Sequence, residues 1–308
     1  VADHQTDGEP NTGADAVPDV HGVVAGVDGS PSSQLALTWA ADTAALYGLP
    51  LTVLFARPDA EGDVLISSDQ GELQGPLQPT IAEIRERHPQ LEVKGARFPE
   101  PPVQSLLLAS ETADLLVLGS RGWDGFTGLL VGSTTLHVVP YAKCPVVVLH
   151  GPRQDDRQAA APPPHAGEVV VAYDGSLESN AAAALAFRHA AAAGCTVAAI
   201  TVHNKRGPAQ VRETDPLRSA PGSPAAAFWA PLVLIAQAFP AVPVTFWEAE
   251  GRPGAVLLEQ SRDSALLSIG ARGKGGFRGL VMGSVSQQLL AHAQCPVGVL
   301  HATAAGAG

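Results

Sequence analysis

Apolar positions along the chain fall into short runs of four to eight residues. Longer stretches lie between them, bounded by caps and by Gly or Pro. The short runs suit buried strands and the longer stretches suit helices. Val20 to Val27 reads as a first strand, broken only by small residues. A helix follows, with Ser30 as its cap and Pro31 in its first turn, and runs to about Tyr47, where Gly48 ends it. Leu51 to Phe55 is a second strand, 57–75 a polar loop, Leu77 to His88 a helix and Leu91 to Arg97 a third strand. Val103 to Glu111 is a helix, Leu115 to Leu118 a fourth strand, Ser133 to Val139 a helix stopped by Pro140, and Val146 to Leu149 a fifth strand.

The order then repeats. Val169 to Tyr173 is a strand, followed by a helix to Ala193 with Gly194 behind it, and Cys195 to Val202 is a strand. Residues 204–224, with several prolines, read as a loop. Next come a helix to about Phe239, a strand from Val242 to Glu248, a helix from Ala255 to Arg262 and a strand from Leu266 to Ile269. A helix from Val285 to His292 and a strand from Val297 to Leu300 complete the series. Strands that alternate with helices predict parallel sheet and right-handed crossovers. Continuous apolar strands predict a sheet covered on both faces. The expectation is an α/β chain of two domains, 20–150 and 168–301. A polar tail (1–19), a proline-rich linker (151–167) and a short terminal tail (302–308) surround them.

The repeat is marked by matching residues. Asp28-Gly29-Ser30 answers Asp174-Gly175-Ser176, and Cys144-Pro145-Val146 answers Cys295-Pro296-Val297. Each fourth strand leads into one glycine pattern. Gly119-Ser120-Arg121-Gly122, nine residues and Gly132-Ser133-Thr134 become Gly270-Ala271-Arg272-Gly273, nine residues and Gly283-Ser284. Glycine permits a sharp turn and close backbone approach. A helix start offers unpartnered N–H groups and the favourable end of the dipole to an anion. Ser133, Thr134 and Ser284 add hydroxyls, so a polyphosphate suits the loop. A plain helix cap is the simpler alternative for one copy; two copies at equal spacing favour the cradle. Neither copy ends in the Gly-Lys-Ser/Thr of a Walker A loop. The run Gly273 to Gly279 resembles a dinucleotide fingerprint, but its last glycine falls one residue late and it follows a fourth strand.

In an open parallel sheet, ligands sit beyond the carboxyl ends of the strands where the order reverses. Asp28 and Gly119, with their counterparts Asp174 and Gly270, end such strands. Two roles fit these acids: accepting from a ribose hydroxyl or holding a magnesium ion, or bracing their own turn. Arg121 and Arg272 lie inside the glycine turns, where they touch phosphate or are only solvated. His150 and His301, at the ends of the fifth strands, read as strand-end polar residues. No Ser–His–Asp grouping, metal-ligand cluster or carboxylate pair stands out.

Composition narrows the class. Hydrophobic residues make up 45% and charged residues 16%, which marks a globular chain. No apolar run reaches the roughly 18 residues of a membrane span. No secretory leader is visible, so a cytoplasmic location is expected. The three cysteines are too few and too scattered for a disulfide framework. Net charge is −11, and the imbalance lies in residues 1–160, with 9 basic and 21 acidic residues; the rest carry 10 and 9. No basic footprint for nucleic acid is present.

These motifs together resemble the universal stress proteins in their tandem two-domain form, over nearly the whole of 20–150 and 168–301. The resemblance implies two doubly wound five-stranded parallel sheets, each in the order 3-2-1-4-5. It implies ATP, with Mg2+, in each crevice. The residues implied are Gly26, Asp28, Gly119, Arg121, Gly122, Gly132, Ser133 and Thr134 in the first half. In the second they are Asp174, Val202, Gly270, Arg272, Gly273, Gly283, Ser284 and Val285. It further implies that Val146–Leu149 and Val297–Leu300 pair within the chain as a pseudo-dimer, and that two chains associate as a homodimer. The implied function is regulatory: nucleotide occupancy alters conformation or the choice of an unknown protein partner, with at most slow hydrolysis. An ATP-hydrolysing or nucleotidyl-transfer enzyme and a nucleotide-free adaptor are the competing classes. Some positions depart from the pattern. Asp114 is answered by Ala265, and Gly251 by Phe98-Pro99-Glu100. Trp123-Asp124 stand where the second half has Lys274. A carboxylate near a triphosphate predicts a weaker first site.

Overall fold

The computed structural model describes residues 20–55, 78–96, 100–122, 131–150, 167–220, 222–275 and 281–302. The expected tails, the 57–75 loop, most of the linker, Trp123-Asp124 and the glycines at 125, 128, 276 and 279 lie outside these residues.

In the first half β1 (Val23–Val27), β2 (Leu51–Phe55), β3 (Val93–Ala96), β4 (Leu115–Gly119) and β5 (Val146–Leu149) alternate with helices. These are α1 (Pro31–Tyr47), α2 (Gln78–Arg87), α3 (Pro102–Ala109) and α4 (Ser133–Val138). The second half has β6 (Val169–Ala172), β7 (Val197–Asn204), β8 (Gln210–Thr214), β9 (Val244–Gly251), β10 (Leu266–Gly270) and β11 (Val297–Leu300). Its helices are α5 (Leu177–Ala193), α6 (Pro224–Gln237), α7 (Pro253–Gln260) and α8 (Ser284–His292).

Local chemistry sets the elements. Ser30 and Ser176 cap α1 and α5, their hydroxyls accepting from Ser33 N and Ser179 N; Gly48 and Gly194 end these helices in the left-handed region, φ 65° and 69°. β1, β2, β5 and β11 are buried at every position, which is the burial that unbroken apolar runs require.

The two halves form one sheet among the described residues, in the order β3-β2-β1-β4-β5-β11-β10-β6-β7-β9-β8. Each half has the 3-2-1-4-5 arrangement, and they join where β5 pairs antiparallel with β11, Val147 opposite Gly298. Neither inner edge is left open. One face is covered by α1, α2, α5 and α6, around Leu37, Ile84, Phe187 and Trp229. The other is covered by α3, α4, α7 and α8, around Leu106, Val138, Leu257 and Leu289.

The stretch expected as a loop over 204–224 is partly strand. β8 lies antiparallel along β9, which runs eight residues against four in β3. Its short sequence is mostly exposed and polar, as suits an outer edge. Ion pairs Arg212–Glu248 and Lys205–Glu250 tie the extension down.

Candidate functional site

β1 and β4 are neighbours, as are β6 and β10, so the strand order reverses between their carboxyl ends in each half. Beyond β6 and β10 lies a crevice of about 400 Å³. All eight residues expected at the second site line it: Asp174, Val202, Gly270, Arg272, Gly273, Gly283, Ser284 and Val285. Sequence reasoning missed Tyr173, Asn204, Leu257, Ser286 and Leu289, which also line it. Ser286 carried a signal, because Thr135 matches it. The Thr135 hydroxyl donates to Gly119 O (2.9 Å) and that of Ser286 to Gly270 O (2.8 Å), fixing each helix to the end of its strand. Asn204 had no signal, since it ends a strand that continues into a stretch read as loop.

The glycine excursions close alike. Gly132 N donates to Ser120 O at 2.6 Å and Gly283 N to Ala271 O at 2.8 Å. Each helix therefore starts beside the turn it follows. Gly132 and Gly283 precede the helices with extended backbone, and neither helix has a side-chain cap bonding its first N–H groups. Ser133 and Ser284 are exposed, and Thr134 and Val285 half-buried.

The glycines differ in what they do. A Cβ on Gly119 would press on the Ser32 backbone at 2.7–2.8 Å, and one on Gly270 on the Glu178 backbone at 2.9 Å. Those two let strand and helix approach. A Cβ on Gly122 would meet only the Asp28 carboxylate, at 2.8 Å, and one on Gly273 would overlap that of Asp174. Those two keep the turn close to the acid. Gly26 is buried on β1 beneath Leu106 and Leu118, 2.7 and 2.6 Å from where a Cβ would stand.

Asp174 braces two turns, the bracing role being one of the two left open for it. Its Oδ1 accepts from Ser176 N (3.0 Å), bracing its own turn, and its Oδ2 accepts from Lys274 N (2.7 Å), holding the glycine turn. Burial alone would raise this carboxyl, but hydrogen bonds from Ser176, Lys274 and Ser179 outweigh it and leave the group below its ordinary value. Asp28 Oδ1 accepts from Ser30 N at 2.9 Å in the same way.

The cations are held differently in the two halves. Arg272 pairs with Glu178 (3.2 Å), while Lys274 Nζ lies 5.4 Å from the Phe228 ring centre. In the first half Ser32 replaces Glu178, and its hydroxyl donates to the carbonyl of Arg121, as does that of Ser30. The Arg121 side chain is exposed.

An α/β sheet repeated in tandem, with an acid beside a glycine turn where the strand order reverses in each half, is the class of protein that the fold defines. Comparison with known proteins gives the family. The universal stress protein family profile matches residues 20–150 and again 166–301. A universal stress protein of Mycobacterium tuberculosis strain H37Rv is 31% identical over 288 residues, covering 90% of this chain and 96% of that one. A second from the same strain is 28% identical over 304 residues, covering 90% and 95%. The structure of a universal stress protein from Archaeoglobus fulgidus superposes with a TM-score of 0.57 at 21% identity, over 91% of this chain and 98% of that one, and shares the fold. The chain belongs to the universal stress protein family and holds two copies of its domain. No helix among the described residues is long and apolar enough to cross a membrane.

Proposed function

We propose that the chain binds ATP in its two crevices and that occupancy regulates its conformation or its choice of protein partner. The observation that carries this reading is the second crevice. Its volume of about 400 Å³ is within the range of small-molecule sites. Its glycine turn stands against a fixed carboxylate, and α8 points its uncapped first turn into it. Apolar walls from Val202, Leu257 and Ile269 suit a base, and the helix start with Ser284 suits phosphates. Both Asp174 oxygens already accept backbone N–H groups, so a magnesium ion would be held mainly by the phosphates and water. Asp174 is also the only carboxylate among the described lining residues. With that acid engaged in holding backbone, hydrolysis would be slow.

Gly122 and Gly273 are the positions at which to test the reading, because an added methyl there meets a side chain and not backbone. The purified protein is denatured and released nucleotide quantified by chromatography, beside a Gly122→Ala/Gly273→Ala variant. Two ATP per chain, lost in the variant, is the expected result. One ATP lost on Gly273→Ala alone would restrict the reading to the second crevice. No nucleotide, and no rebinding with ATP and magnesium, would sink it in favour of an adaptor.

A further inference from the structure

The seam between the halves carries a reciprocal pair of hydrogen bonds. His150, just past β5, donates from Nε2 to the carbonyl of Leu290 at 2.7 Å. His301, just past β11, donates from Nε2 to the carbonyl of Val139 at 2.9 Å. A carbonyl only accepts, so Nε2 carries the proton in both rings. Donors and acceptors are repeat equivalents, each pair 151 residues apart, so the two contacts are mirror copies across the seam.

Leu290 lies in the last turn of α8, where carbonyls have no partner inside the helix. The residue before it, Leu289, lines the second crevice, and the same helix supplies Ser284, Val285 and Ser286. Among the described residues, α8 is hydrogen-bonded near both of its ends. Near its start Ser286 binds Gly270 O and Gly283 N binds Ala271 O, both contacts from within the second half. Near its end the hold comes from the other half of the chain, through His150.

We propose that His150 is a positioning residue for the second crevice, fixing the register of α8 from outside the domain that α8 belongs to. A side chain of one half thereby positions a helix that lines the crevice of the other. This rests on the nucleotide reading for its ligand, ATP, but not for its geometry. His150 is not among the described residues lining the crevice, and its bond to Leu290 reaches it through the helix.

The test is backbone amide hydrogen exchange on the full chain, followed in the peptide covering 281–292 as ATP with magnesium is titrated. That peptide reports the second crevice alone. A lost hydrogen bond of ordinary strength predicts about fivefold weaker apparent affinity there for His150→Ala. His150→Gln, which keeps an N–H donor, restores it. His301→Ala removes the mirror bond across the same seam but touches α4, and it leaves the second crevice within twofold of the parent. Equal weakening by both alanine variants would reduce the contact to general seam stability and overturn the proposal, as would no weakening by His150→Ala. If the parent protein shows no ATP response, the nucleotide reading has failed. The positioning role is then read without ligand: faster exchange in 281–292 for His150→Ala but not His301→Ala supports it, and equal exchange overturns it.

Discussion

Trp229→Ala lowers the unfolding free energy of the chain by about 3–5 kcal/mol, the range for deleting a large buried aromatic. Trp229 is 1% exposed and sits where three rings meet. It stacks on Tyr173 with centres 5.3 Å apart, meets Phe246 edge-on at 5.3 Å and meets Phe228 edge-on at 5.0 Å. Truncation leaves a void bordered by three aromatics fixed to three separate elements, so little of it can collapse. The damage reaches the crevice as well. Tyr173 immediately precedes Asp174, and its hydroxyl donates to Asn180 Oδ1 at 3.0 Å, which ties the strand end to α5. Phe228 carries the ammonium of Lys274 on its face. Urea denaturation of parent and variant, read by one probe, measures the loss. A change below about 1 kcal/mol would mean that the site repacks, contrary to the close packing expected of such interiors.

The cluster also shows what the sequence could and could not disclose. The strands and both glycine turns were legible because their causes are local, whereas the strand order came from the family resemblance. Apolar runs bounded by Asp-Gly-Ser or Gly-x-x-Gly dictate buried strands ending in tight turns, and the repeat read each of them twice. Glu178 was not legible. It stands where the first half has Ser32, so the repeat gave no warning that Arg272 would face an acid there while the Arg121 carbonyl meets a hydroxyl. β8 was hidden for a related reason. Gln210-Val211-Arg212-Glu213-Thr214 has one apolar residue, and what makes it a strand is the extra length of β9 beside it and the ion pair to Glu248. The pairing of β5 with β11 was expected from the resemblance, but the histidine bonds at that seam were the least visible feature. His150 and Leu290 are 140 residues apart, His301 and Val139 are 162 apart, and only the antiparallel pairing of β5 with β11 brings them together. Matching histidines at the strand ends were evident, but a polar residue at a strand end is ordinarily solvated, and no local rule names a helix carbonyl from the other half.

The opposite side of the seam makes stability depend on pH. His189, on α5, is 5% exposed. Its ring stacks on Trp39 of α1 at 5.5 Å, its Nδ1 lies 3.1 Å from the Tyr47 hydroxyl, and Arg188 lies 4.5 Å over the Tyr47 ring. Burial pushes the imidazole down from 6.5 to about 4, and burial likewise pushes the Tyr47 hydroxyl up to about 12, against the pull of Arg188. Tyr47 is therefore neutral throughout the acid range, and His189 is the group that titrates. The unfolded chain takes up its proton near 6.5 and the folded chain only near 4, so the unfolded state binds more protons between these values. Stability is full above about pH 6.5 and falls as the pH drops toward 4, by roughly 3 kcal/mol in all for this group. Below 4 it contributes no further change. Asp174 acts in a lower window: its folded value is depressed, so its contribution is lost only as the pH falls below the ordinary carboxylate value of 3.8. His189→Gln keeps an acceptor for Tyr47 but cannot be protonated. Its unfolding free energy, measured at pH 7.5, 6, 5 and 4, is expected to fall less steeply than that of the parent, with the two curves converging toward pH 4. Parallel curves over that interval would show that the ring charges at no cost to the seam. Convergence would mean that charging His189 in the folded chain weakens the packing of α1 against α5.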